Sequence, residues 1–148
     1  MGYQHIMVPV DGSPTSLTAI QHAAKLATTY QSTVTVIYVL TIDPFINIEY
    51  INSAHQVEND ALKQTREIIK TIVDEAKQKF LTFGIDANTV IIEGQDVHKE
   101  IIKASEEHAV DLIVIGSHGR TGIRKLVLGS VTQKLLGETS LPVLVVHK

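Results

Sequence analysis

Five short apolar runs, rich in β-branched residues, recur along this 148-residue chain at positions 6–10, 33–40, 89–92, 111–115 and Val143–Val146. They are continuously apolar rather than alternating. A strand with water on one face alternates polar and apolar residues; a strand covered on both faces does not. The runs therefore predict a parallel sheet with helices on both sides. Because parallel crossovers are right-handed, β-α alternation of this kind winds into a doubly wound α/β fold, for which the expected order of the five strands is 3-2-1-4-5.

Four helical patterns fill the gaps. The first has Ser13 as expected N-cap and Pro14 at the first helical position, with Leu17, Ile20, Ala23, Ala24 and Ala27 on one face. The second carries Leu62, Thr65, Ile69, Ile72, Val73, Ala76 and Phe80 at helical spacing, and Gly84 is placed to end it. The third starts at about Asp96 and presents Val97, Ile101 and Ala104; the fourth starts at Ser130, with Gln133 at capping-box spacing. Positions 41–57 are too apolar for a disordered linker and too long for an ordinary turn, so a lid over a pocket or a partner-facing patch is expected there. With no internal repeat, low-complexity tract or composition break, 1–148 reads as one domain.

Composition narrows the function classes. A formal charge of −3 offers no global attraction to nucleic acid or an acidic membrane. The absence of cysteine removes disulfides, thiolate metal sites and thiol nucleophiles. The seven histidines show no metal-ligand spacing. No apolar run approaches the length of a membrane span and no signal sequence opens the chain, so a cytoplasmic protein is expected.

The chemistry concentrates between positions 115 and 135. Gly116 and Gly119 follow the fourth apolar run, and nine residues separate Gly119 from Gly129-Ser130, where a helix begins. Glycines let a backbone approach an oxyanion closely, and the amides of a helix's first turn suit a phosphate. His118, Arg120, Arg124 and Lys125 add basic side chains, Arg120 being the leading candidate to reach a phosphate. In the expected topology this segment meets the turn 10–13 at the point where strand order reverses, the place where ligands bind in such sheets. Asp11 in that turn either meets a ligand or metal or merely holds the turn. A P-loop and a Gly-x-Gly-x-x-Gly fingerprint are both absent.

Gly116-x2-Gly119-x9-Gly129-Ser130, together with the opening Val8-Pro9-Val10-Asp11-Gly12-Ser13 and the closing stretch 140–146, resembles the ATP-binding subgroup of the universal stress protein family over essentially the whole chain. The resemblance implies that Gly119, Gly129, Ser130, Val131 and Thr132 contact phosphates. It also implies that Gly116 and Pro9 border the ribose, that Val39 reads adenine through its backbone, and that Val10 and Asp11 complete the floor. ATP, with Mg2+ or Mn2+ held mainly by its phosphates, is the implied cofactor. A homodimer through Val143–Val146 is implied as well, and the apolar edge strand expected there invites the same pairing. Only Asp11 offers a carboxylate near the phosphates, so a nucleotide-dependent regulatory module with an unknown protein partner and at most slow hydrolysis is expected. The alternative is an ATPase or nucleotidyl-transferring enzyme in which Asp11 holds Mg2+ and Arg120 stabilises developing charge.

Overall fold

The computed structural model describes residues 2–41, 55–118 and 128–147, with the side chains of 55–61 excepted. Arg120, Gly119 and most of the apolar segment 41–57 lie outside these residues. The elements are β1 (His5–Pro9), α1 (Pro14–Tyr30), β2 (Thr33–Thr41), α2 (His55–Leu81), β3 (Asn88–Gly94), α3 (Val97–Glu107), β4 (Leu112–Gly116), α4 (Ser130–Glu138) and β5 (Val143–Val146). All pairings in the sheet are parallel and the order is β3-β2-β1-β4-β5, as the apolar runs predict.

Strand side chains alternate between two cores. Ile6, Val8, Val34, Val36, Leu112 and Val114 pack with Ala19, Ile20, Ala23 and Ala27 of α1 and Ala76 and Phe80 of α2. Met7, Ile37, Ile113 and Ile115 pack with Ile101 and Ala104 of α3 and Leu135 of α4. Apolar residues are thus wanted at every position of β1 and β4, which is why those runs do not alternate.

Local expectations change in α1 and α4, and at β3, whose residues alternate in burial and leave Ile91 47% exposed rather than covered on both faces. Leu17 is 47% exposed, whereas Thr15, Ser16, Ala19, Ile20, Ala23, Ala24 and Ala27 form the buried stripe of α1. The small residues set the closest approach to the sheet, and Leu17 falls to one side. Ser130 is not the cap of α4: Gly129 is, with φ −60° and ψ 156° and no side-chain cap bond. Gln133 Nε2 donates instead to the Leu128 carbonyl, at 3.1 Å. At α1 the expected cap is present, Ser13 Oγ accepting from the Ser16 amide.

Candidate functional site

The carboxyl ends of β1 and β4 lie side by side at the centre of the sheet, and β2 and β5 flank them on opposite sides. Beyond β1 the chain turns through Gly12, whose φ of 82° is a left-handed conformation that an L side chain would strain. Asp11 Oδ1 accepts from the Ser13 amide at 2.9 Å, so this carboxylate does hold the turn. Pro9 and Val10 are buried, and the Val10 amide donates to the Ile37 carbonyl at 2.9 Å.

That last bond has a consequence for Val39. Ile37 is the last residue of β2 paired with β1, opposite Pro9. Along a strand, alternate residues direct both their N–H and C=O groups to the same neighbour. Val39 therefore presents its backbone donor and acceptor towards the β1 side after β1 has ended, while β2 stays paired with β3 as far as Thr41. A donor and an acceptor together on an open stretch of strand edge can pair with a flat heterocycle.

On the other side of the reversal, β4 closes against α1. A Cβ built on Gly116 would lie 2.8 Å from Thr15 Oγ1, 2.9 Å from Thr15 Cβ and 3.0 Å from the Thr15 backbone carbon. Gly116 is needed because the first turn of α1 touches the end of β4. Its carbonyl accepts from Thr132 Oγ1 of α4 at 3.0 Å, which leaves the buried Thr132 hydroxyl committed as a donor.

Ser117 joins three elements. Its amide donates to the Val146 carbonyl of β5 at 2.9 Å and its carbonyl accepts from the Gly129 amide at 2.7 Å. His118 follows, with Nδ1 2.9 Å from Ser117 Oγ and its carbonyl accepting from Thr15 Oγ1. Sequence reading did not single out Thr15 or Ser117. Thr15 meets His118 from 103 residues away along the chain, Ser117 bonds to residues of two other elements, Gly129 and Val146, and no local pattern announces either.

The two helices that begin at this crevice differ at their first turns. In α1, Ser13 caps the Ser16 amide and Pro14 has no N–H. In α4 the cap is a glycine, its own amide is spent on Ser117, and the first intrahelical bond is from the Gln133 amide to the Gly129 carbonyl, at 3.0 Å. The amides of Ser130, Val131 and Thr132 precede that bond and have no helical acceptor. They form a positive helix end suited to an anion. Of the candidate residues within the described structure, Pro9, Val10, Asp11, Val39, Gly116, Gly129, Ser130, Val131 and Thr132 all lie at the carboxyl end of the sheet or in the first turn of α4.

Among the described residues, no group of three or more His, Asp or Glu side chains could hold a metal ion. None of the described helices is long and apolar enough to cross a membrane.

Comparison with known proteins gives a consistent picture. Residues 2–147 match the universal stress protein family. The universal stress protein MJ0531 of Methanocaldococcus jannaschii is 32% identical over 146 residues, covering 99% of this chain and 83% of that protein. The solved structure of protein MJ0577 from the same organism superposes with a TM-score of 0.82 at 30% identity, covering 100% of this chain and 98% of the other. A universal stress protein solved in complex with cAMP has a TM-score of 0.70 at 24% identity, covering 99% and 98% of the two chains. One from Archaeoglobus fulgidus solved in complex with dAMP has a TM-score of 0.68 at 21% identity, covering 99% of each. The last two likenesses are of fold.

Proposed function

Since the chain belongs to the universal stress protein family, we propose that it is a single-domain module of the ATP-binding kind, which holds ATP at the first turn of α4 and passes nucleotide state to a partner. One observation carries this reading: α4 starts on a glycine cap with no side-chain cap bond, so three successive amides are left for an anion where the strand order reverses. The complexes of related proteins with cAMP and dAMP support an adenine nucleotide as the ligand class. In this reading Ser130, Val131 and Thr132 hold phosphate oxygens, with Gly119 and Arg120 joining them from the neighbouring loop. The Val39 backbone meets the adenine edge, Pro9 and Gly116 border the ribose, and Val10 and Asp11 line the floor.

A divalent ion, Mg2+ or Mn2+, would enter with the nucleotide and be held mainly by its phosphates, since one oxygen of Asp11 is already bonded to the Ser13 amide. Asp11 then serves the turn more than the ligand. Asp11→Asn, which keeps an acceptor oxygen, is expected to change ATP affinity less than about threefold, well under the loss of a charge-assisted hydrogen bond. Phosphate release, followed alongside, should stay slow and indifferent to the substitution. Steady Mg2+-dependent turnover abolished by Asp11→Asn would replace the binding module with an enzyme.

The same reading includes a homodimer through Val143–Val146. β5 is an edge strand with Leu144 37% exposed, and an unprotected apolar edge favours pairing with a second copy. Through Ser117, β5 is bonded to the turn that also holds Gly129, so a nucleotide that tightens the turn acts close to the dimer edge. Sedimentation at micromolar concentration should give a dimer, and Leu144→Lys a monomer; a wild-type monomer contradicts this part of the account.

A further inference from the structure

We propose that the free edge of β3, with the flank of α2 above it, docks an extended acidic segment of a partner protein, which pairs with β3 as an added strand. This surface is independent of the nucleotide reading. β3 is the outer strand at the end of the sheet opposite β5, and nothing among the described residues pairs with its outer side. Alternate residues of an edge strand direct N–H and C=O groups outward, where a second chain can meet them. Natural edges are commonly blunted by proline, lysine, a bulge or shortness. β3 has none of these: it carries no proline or lysine, it pairs with β2 in unbroken register from Asn88 to Gly94, and at seven residues it is longer than the four-residue β5. Its one charged side chain, Glu93, is tied back to Arg66 of α2 at 2.8 Å.

The neighbouring helix defines the chemistry of the segment that fits. Two ion pairs, Arg66–Glu93 at 2.8 Å and Lys77–Asp86 at 3.6 Å, run from one flank of α2 to β3 and to the turn just before it. That flank therefore overhangs the strand. Lys63, Lys70 and Lys77 recur at seven-residue steps and Arg66 lies one turn after Lys63, so all four cations share it. Glu67 and Asp74 stand further round the helix, away from the strand. Lys63 and Lys70 are exposed and make no ion pair among the described residues. With Leu62, Arg66 and Glu67 they line a surface depression. On the same face of the sheet Ile91 is exposed, while Val90 and Ile92 are half-buried against the other core. A segment alternating carboxylate and β-branched apolar residues satisfies both faces. Its carboxylates meet Lys63 and Lys70, its apolar side chains lie beside Val90 and Ile92, and its main chain bonds to β3. A second copy of this chain does not fit, because twofold edge-to-edge pairing sets the two rows of cations against each other.

The test uses the full chain and a fluorescein-labelled peptide of alternating glutamate and valine, with a lysine–valine peptide of the same length as control. Anisotropy titration should show saturable binding of the acidic peptide below about 1 mM, weakened by added salt, and none of the basic peptide. Hydrogen exchange should show the amides of β3 gaining protection when the acidic peptide binds. Lys63→Glu combined with Lys70→Glu should weaken binding about tenfold, the loss of two exposed ion pairs. The melting temperature should not change, since both side chains are exposed. No binding, binding without added protection in β3, or equal affinity in the double variant overturns the proposal. Displacement of the peptide by equimolar duplex DNA also overturns it, assigning the cations to nucleic acid. So does a change of oligomeric state in the double variant by sedimentation, which would give the edge to a second copy.

Discussion

Replacing Ser130 with proline is expected to weaken ATP binding about ten- to a hundredfold, the cost of one hydrogen bond to a charged group, without harming the fold. Ser130 occupies the first helical position of α4, where proline is well tolerated because that N–H has no helical acceptor. Proline also restricts the residue before it to extended backbone, and Gly129 is already there, with φ −60° and ψ 156°. The substitution therefore deletes one amide from the anion site and leaves the helix, the Gly129–Ser117 bond and the sheet in place. Ser130→Ala removes the exposed hydroxyl but keeps the amide, and should retain most of the affinity. Equal binding by Ser130→Pro and the wild type would mean that the first turn of α4 does not hold the phosphates.

The second large effect is on stability. Gly116→Val should destabilise the protein by about 3 kcal/mol, the upper end for overpacking a close contact, and lower the melting temperature by roughly 10 °C for a chain of this length. The reason is local: a Cβ at this position meets Thr15 on three atoms at 2.8–3.0 Å, one of them backbone. Rotating the Thr15 side chain cannot clear that backbone carbon, so the end of β4 and the first turn of α1 must move apart. Such a shift also strains the Thr132–Gly116 and Thr15–His118 bonds, so nucleotide affinity should fall with stability. An unchanged melting curve would show that the approach of α1 to β4 is loose.

The architecture was legible because few windings satisfy the pattern. Continuous apolar runs require cover on both faces, β-α alternation requires crossovers, and handedness leaves the reversal between β1 and β4 as the place for a ligand. What misled was subtler. The helical repeat groups Leu17 with Ile20 and Ala24, yet it cannot say where the face is centred when Thr15, Ser16 and Ala19 pack closest. Ser130 and Gln133 have capping-box spacing, but spacing does not distinguish the cap from the first helical residue. Here Gly129 takes the cap position, and its amide is fixed by the Ser117 carbonyl. That bond, like the Thr15–Gly116 contact, depends on how separate turns meet above the sheet. It is also what turns α4 from a self-capped helix into one with amides to offer.

The most direct test of the central claim is to heat-denature freshly purified protein, identify any released nucleotide by chromatography, and titrate a nucleotide-free sample with ATP. The account predicts adenine nucleotide bound at one per chain, or saturable ATP binding at that ratio. No released nucleotide and no titration signal would contradict it, and the glycines at 116 and 129 would then serve packing and turn geometry alone.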